Sequence, residues 1–479
     1  MATKFAYAPA PERVRPQLRE RYGLFIGGRW TAPESERYME TINPADETRI
    51  AEVAYGDAQD VDRAVRAARK GFERWSKLSP ADRAKLIYRV ARAITERSRE
   101  LAVLESLDGG KPIRESRDFD IPTSAAHFFY YAGWADKLEW AMRAERTPEP
   151  IGVCGQIVPW NFPLLMAAWK VAPALACGNT VVLKPAETTP LTALALAQIV
   201  EEAEIPPGVI NVVTGDGATG AALVDHDGVD KIAFTGSTEV GKIIQRRIAG
   251  KGKRLTLELG GKAANVVFAD APLDQAVEGI VQGIYFNQGH VCCAGSRLLV
   301  EENVHDDIVE RLTNRIRTLR LGDPLDKNTD IGAINSRVQL EKIRELVHSG
   351  IDEGATLVQA ECELPPRGFF FPASFFTNVQ PSHRVAREEI FGPVLAVMTF
   401  RTPDEAIDKA NNTPYGLSAG VWTTEGSKNM WVAQHLRAGV VWCNTFNKFD
   451  PSSPFGGYKE SGFGREGGIH GLREYLKHA

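Results

Sequence analysis

From about residue 150 onward, short β-branched apolar runs alternate with amphipathic stretches at helical spacing. Residues 153–159 (VCGQIVP), 179–184 (NTVVLK), 209–213 (VINVV), 231–235 (KIAFT) and 255–259 (LTLEL) each read as a strand, with helical segments between them. Thr189-Pro190 predicts the start of an alanine- and leucine-rich helix, with Thr at the N-cap and Pro in the first turn. A second alternating series follows Asn265, its runs at 296–300, 394–400 and 439–444 separated by long amphipathic segments such as 304–321. Strands that alternate with helices imply a parallel α/β sheet, whose ligands bind at the carboxyl ends of the strands. Before residue 150 the pattern is mainly helical, including 58–75 and 81–107, and the chain shows no internal repeat or low-complexity tract. Two α/β units with helical N-terminal packing are therefore expected.

Composition narrows the function classes. A chain of 479 residues is long enough to bury a large core without metals or disulfides. With 57 Lys+Arg against 61 Asp+Glu, the formal net charge is −4, which gives no electrostatic ground for a nucleic-acid or membrane-surface partner. Arg13, Arg15, Arg19 and Arg21 read as a solvated arm. The N-terminal segment lacks the apolar core of a signal peptide, and no apolar run approaches the roughly 18 residues of a membrane span, so a cytoplasmic location is expected. Six cysteines are too sparse for a disulfide framework, and no metal is expected because none forms C-x-x-C.

Two segments offer phosphate-binding chemistry. Gly215-Asp216-Gly217-Ala218-Thr219-Gly220 matches G-x-G-x-x-G after a strand, but the ribose-binding acid about 20 residues on is not clear, so a tight turn is the stronger reading. Phe234-Thr235-Gly236-Ser237-Thr238-Glu239-Val240-Gly241 is the better local candidate, since it places hydroxyls and amides at a helix N-terminus. Among the cysteines, Cys154, Cys177 and Cys443 sit in apolar runs and read as small buried hydrophobes, and Cys362 as a surface thiol. Cys292 and Cys293 differ: a glycine-flanked polar loop, Phe286-Asn287-Gln288-Gly289-His290-Val291, leads into them and can expose a thiol. His290 lies too close in sequence to serve as a protease-like base.

The stretch FNQGHVCCAGSR resembles the nucleophile loop of the NAD(P)-dependent aldehyde dehydrogenases. So do Pro159-Trp160-Asn161-Phe162-Pro163, Lys184-Pro185-Ala186-Glu187, FTGSTEVG, Leu257-Glu258-Leu259-Gly260-Gly261-Lys262, Glu388-Glu389-Ile390-Phe391-Gly392-Pro393 and Pro454-Phe455-Gly456-Gly457-Tyr458-Lys459, in the family's order across residues 20–476. The resemblance implies a Rossmann-type cofactor domain over 1–125 and 150–259, an α/β catalytic domain over 260–445, and reduced oligomerisation segments at 126–149 and 446–479.

It also implies the site. Cys292 matches the nucleophile, Asn161 the oxyanion-stabilising amide, Glu258 the general base, and Lys170 with Glu466 a pair relaying protons to that base. Lys184 and Glu187 match residues on the adenosine ribose, where a carboxylate disfavours a 2′-phosphate and so favours NAD over NADP. Trp160, Gly236 and Ser237 fall near the pyrophosphate, and Glu389 and Phe391 at the nicotinamide ribose and ring. Met166, Trp169, Phe286, Val291, Phe449 and Phe455 match or flank the aldehyde tunnel and suggest an uncharged aldehyde of moderate size. This placement demotes the GDGATG loop.

The expected reaction is oxidation of an aldehyde to its acid, with a coenzyme-A-acylating enzyme, a phosphorylating one and a non-catalytic member as alternatives. Retention of both Cys292 and Glu258 favours hydrolysis. Two departures stand out. His290 occupies a position where the family most often has Gln, and the segments around 137–149 and after Leu476 are short, which leads us to expect a homodimer, or pairing with another chain, rather than a tetramer.

Overall fold

The computed structural model describes residues 8–142 and 148–477. The predicted alternation produces two large sheets. In the first, of eight strands, Arg254–Glu258, Lys231–Thr235, Val153–Ile157, Thr180–Lys184 and Ile210–Val212 run parallel in that spatial order. Gly462–Phe463 closes one edge antiparallel, and the hairpin Leu24–Ile26/Arg29–Thr31 closes the other. The interior strands Val153–Ile157, Thr180–Lys184 and Lys231–Thr235 are buried along their whole length, as expected when helices cover both faces. The second sheet has seven strands in the order Thr356–Gln359, Ser374–Thr377, Val394–Phe400, Arg297–Glu301, Ala264–Val267, Ser418–Trp422 and Val440–Cys443, parallel except for the first pair.

The structure corrects several expectations. Residues 21–54 are not helical but form five short strands, three of which, Arg21–Tyr22, Tyr38–Ile42 and Arg49–Ala54, build a separate sheet. Runs of two to six residues with interspersed charges are too short to display a period of two. The helix expected over 81–107 breaks at Arg97 into Pro80–Glu96 and Ser98–Gly109. The first is amphipathic, whereas Leu101–Ser106 is buried on every side, so the 3.6-residue pattern does not carry through. The helix expected over 304–321 is His305–Ile316. Cys443 lies on the outermost strand and is exposed, while Cys154 and Cys177 are buried and Cys362 is exposed. Of the segments expected to carry oligomerisation, 143–147 and 478–479 lie outside the described residues; Pro150 and Leu476 form a single antiparallel bridge. Among the described residues, no helix is long and apolar enough to cross a membrane.

Thr189 does not cap the following helix, which spans Leu191–Glu202 with Pro190 at the N-cap position and no side-chain cap bond from it. The buried carboxylate of Asp108 does that work from a distant helix, accepting the Leu191 N–H at 2.8 Å and the Thr41 hydroxyl at 2.6 Å. Burial nonetheless pushes its carboxyl up to about 7. Asp108→Ala orphans a buried N–H and should lower stability by about 2 kcal/mol. The check is a urea unfolding curve, and an unchanged midpoint would contradict the capping role.

Candidate active site

In the first sheet, register places Ile157 beside Lys184 and Phe234, and Thr235 beside Glu258, so the residues that follow all emerge at one carboxyl edge. The second sheet faces the same space with its amino ends, because the segments before Arg297–Glu301 and Val394–Phe400 supply Val291, Cys292, Glu389 and Phe391. Between the two lies a pocket with about 990 Å³ of empty volume, lined mainly by apolar surface.

The loop that leads into Cys292 is held under strain. Asn287 and Gln288 both adopt left-handed backbone, at φ 50° and 51°, a conformation costing on the order of 1–3 kcal/mol each for such residues. The neighbours fix it: the Asn287 N–H donates to Glu115 Oε2 at 2.9 Å, its Nδ2 to the Asn161 carbonyl at 2.8 Å, and Gln288 Nε2 to the Ala333 carbonyl at 2.9 Å. Burial pushes the Glu115 carboxyl up to about 8. Gly261 lets the loop approach: a Cβ there would stand 2.3 Å from the Cys292 carbonyl oxygen. The result leaves Cys292 partly exposed at the pocket wall and Cys293 buried beside it.

Electrostatics at the floor of the pocket favour neutral resting groups. The Cys292 thiol is held well above its ordinary range by its hydrogen bond with Cys293 and by burial. Glu258 is raised well above the carboxylate range, first by burial and then by the negative charge of Glu466, with Lys170 opposing. Neither Glu258 oxygen has a hydrogen-bond partner among the described residues. Behind it, the buried Lys170 ammonium bonds to Glu466 and, at 2.6 Å, to Thr235 Oγ1. The backbone of Glu466 pairs with that of Phe455, a pocket residue, through bonds of 2.6 and 2.8 Å. Asn161 Nδ2 donates to the His290 carbonyl at 2.8 Å. His290 itself is pushed down to about 3 by burial and by the positive charge of Lys111, so its imidazole is neutral at physiological pH and no acid–base partner in the working range.

On the other side, Glu389 Oε1 accepts the Gly261 N–H at 3.0 Å, while burial raises its carboxyl. Ser237 caps the helix Thr238–Ile248, its Oγ accepting the Val240 N–H, so the positive end of that helix faces the pocket beside Gly236. Lys184 is buried at a strand end, paired with Glu187 at 3.5 Å, and burial lowers its pKa. The GDGATG segment is a turn and helix cap, with Asp216 accepting from Ala218 N–H at 2.8 Å and from the Tyr55 hydroxyl at 3.0 Å.

The structure thus gathers Cys292, Glu258, Asn161, Trp160, Gly236, Ser237, Glu389, Phe391, Met166, Trp169, Phe286, Val291, Phe449 and Phe455 around one pocket. Lys170 and Glu466 stand behind Glu258, and Lys184 and Glu187 lie outside the lining. Sequence reasoning missed Phe119, Phe162, Leu165, Gln339 and Lys342 in the same wall. Phe119 sits in the wide helical turn Ser116–Asp120, which no local pattern announces. Gln339 and Lys342 share one face of the helix Arg337–Asp352 at i, i+3 spacing, a signal identical to that of a solvated face.

This combination, a thiol and a desolvated carboxylate between a parallel sheet's carboxyl edge and a helix N-terminus, is that of a nucleotide-linked oxidoreductase site. The aldehyde dehydrogenase family profile matches residues 30–479. Human (Homo sapiens) retinal dehydrogenase 2 is 47% identical over 474 residues, covering 96% of this chain and 91% of its own length. An aldehyde dehydrogenase from Bacillus cereus, solved as an NAD+ complex, superposes with a TM-score of 0.94 at 42% identity, with 98% of each chain covered. An indole-3-acetaldehyde dehydrogenase in complex with NAD+ gives 0.93 at 43% identity over 96% of each chain. The chain belongs to the aldehyde dehydrogenase family and is an oxidoreductase of that class.

Gly261→Ala forces its Cβ into backbone that cannot rotate away, and should lower the thermal unfolding midpoint by several degrees. Gly217→Ala, where a Cβ meets nothing within 4 Å, is the silent control. Equal midpoints for the two variants would contradict the packing assigned to Gly261.

Proposed function

We propose that this protein oxidises an uncharged, apolar aldehyde to its carboxylic acid, with Cys292 as nucleophile and Glu258 as general base. The observation that carries the reading is the buried Glu258 carboxyl, without a hydrogen-bond partner among the described residues, lining the same pocket as Cys292. A carboxylate held in that way is a stronger base than one in water. In its ionised form it takes the Cys292 proton and hands it to the Lys170–Glu466 pair, and the thiolate adds to the aldehyde carbon to give a thiohemiacetal. The developing oxyanion is held by the Cys292 backbone N–H and by the Asn161 amide, each such donor being worth roughly 3–4 kcal/mol. The residues along the cofactor side suit a dinucleotide: the capped helix N-terminus at Ser237 suits a pyrophosphate, the Lys184–Glu187 pair suits ribose hydroxyls, and Glu389 with Phe391 suits the nicotinamide riboside. NAD, when bound there, supplies the hydride acceptor. The Glu187 carboxylate, which would repel a 2′-phosphate, favours NAD over NADP, and two of the solved relatives carry NAD+ in their complexes.

Loss of hydride leaves a thioester on Cys292. Glu258, ionised again, deprotonates water, whose oxygen bonds to the thioester carbon as the C–S bond breaks and Cys292 leaves as thiolate; the Lys170–Glu466 pair passes the water proton onward from Glu258. The wall of Phe119, Phe162, Met166, Trp169, Phe286, Phe449 and Phe455 suits an apolar side chain.

The test is NADH absorbance with a panel of aliphatic and aryl aldehydes, with and without coenzyme A. We expect turnover independent of coenzyme A, no turnover in Cys292→Ala, and in Glu258→Gln a stable acyl adduct on Cys292 visible by intact-protein mass spectrometry. Normal turnover in Cys292→Ala would refute the mechanism, and an absolute need for coenzyme A would favour the acylating reaction.

A further inference from the structure

The imidazole of His290 is almost fully buried, 1% exposed, and is not part of the pocket lining. It contacts two rings that are. Its plane stacks on Phe391 at 5.8 Å and 19°, and Trp160 stands edge-on to it at 4.8 Å and 88°. Trp160 is also edge-on to Phe391, at 5.2 Å and 85°. The three rings therefore close a triangle in which every pair lies within the favourable range for aromatic contacts. The triangle has work to do, because Phe391 is in left-handed backbone at φ 54° and is anchored otherwise by Gln339 Nε2, which donates to the carbonyls of Ile390 and Phe391 at 3.0 and 2.9 Å. Among the described residues His290 Nε2 has no hydrogen-bond partner, so the ring contacts are what the position offers.

We infer that His290 is a positioning residue for the nicotinamide end of the cofactor site, setting Trp160 and Phe391 from behind by ring contact. The inference rests on the cofactor placement proposed above. Its influence is separable from the oxyanion donor, since Asn161 is bound by the His290 backbone carbonyl and not by the ring. A glutamine lacks the plane on which Phe391 stacks. A phenylalanine keeps that plane and gives up no bond at Nε2.

The experiment compares the wild type with His290→Gln and His290→Phe by calorimetric titration with NAD, and by steady-state kinetics at saturating NAD. His290→Gln should raise the NAD Kd roughly tenfold, the loss expected for two ring contacts, while the aldehyde KM shifts less than about twofold. His290→Phe should restore wild-type NAD binding within about threefold. Unchanged NAD affinity in His290→Gln, or equal weakening in both variants, would overturn the inference. A wild type that binds NAD yet oxidises no aldehyde would overturn the functional reading and leave this one standing; one that binds no NAD would overturn both.

Discussion

Glu258 carries a carboxyl group buried where neither oxygen finds a hydrogen bond among the described residues, and the rest of the site is arranged around keeping it there. An ionised carboxylate in such a place is expensive, so burial and the nearby charge of Glu466 raise its pKa well above the usual carboxylate range. Its position is set by rigid elements. Its strand pairs with Lys231–Thr235 on one side and with Gly462–Phe463 on the other, and its carbonyl accepts the Gly236 N–H at 3.1 Å. Lys170 is near enough to moderate the shift but spends its hydrogen bonds on Glu466 and Thr235. In the proposed role of base, a carboxyl with no competing partner among the described residues has its proton affinity available to a substrate.

The second structural feature is the division of labour between the two sheets. One contributes its carboxyl ends, with the helix cap at Ser237, Glu258 and the Trp160–Asn161 turn; the other contributes amino-end loops carrying Cys292, Glu389 and Phe391. Loops at the amino ends have no helix dipole to rely on, and here they are fixed instead by strain and close packing. Asn287, Gln288 and Phe391 all carry positive φ, and each is tied to a neighbouring segment by side-chain or backbone hydrogen bonds. The thiol is thereby placed by contacts from Glu115, Asn161, Gly261 and Ala333, which come from four separate stretches of chain.

Much of this was legible in the residues. The fully buried strands Val153–Ile157, Thr180–Lys184 and Lys231–Thr235 announced themselves as short, mostly apolar runs, and the motif blocks carried Cys292, Glu258, Asn161 and the apolar residues of the predicted tunnel into one pocket. What stayed hidden depended on distant partners. Asp108 caps a helix 83 residues away, so the local Thr189-Pro190 signal pointed to the wrong capping group. Phe119 and Gln339 reach the pocket from helices whose patterns describe only packing. The strands at 21–54 are too short to show a period, and the GDGATG match proved to be a helix cap because its Asp216 is occupied by Ala218 and Tyr55. His290 was visible as an odd residue in the loop, but its ring contacts required the fold.

The central claim is that the desolvated Glu258 carboxyl governs breakdown of the covalent intermediate. The most direct measurement is the pH dependence of acyl-enzyme breakdown, followed in single turnovers for the wild type and for Glu258→Gln. Because its pKa is raised, Glu258 is protonated and inactive as a base below that value, so the wild-type rate should fall with decreasing pH along a limb centred well above the ordinary glutamate value of about 4.3. The variant should be slow and lack that limb. Identical pH limbs in the two proteins would contradict the claim and place the controlling proton elsewhere.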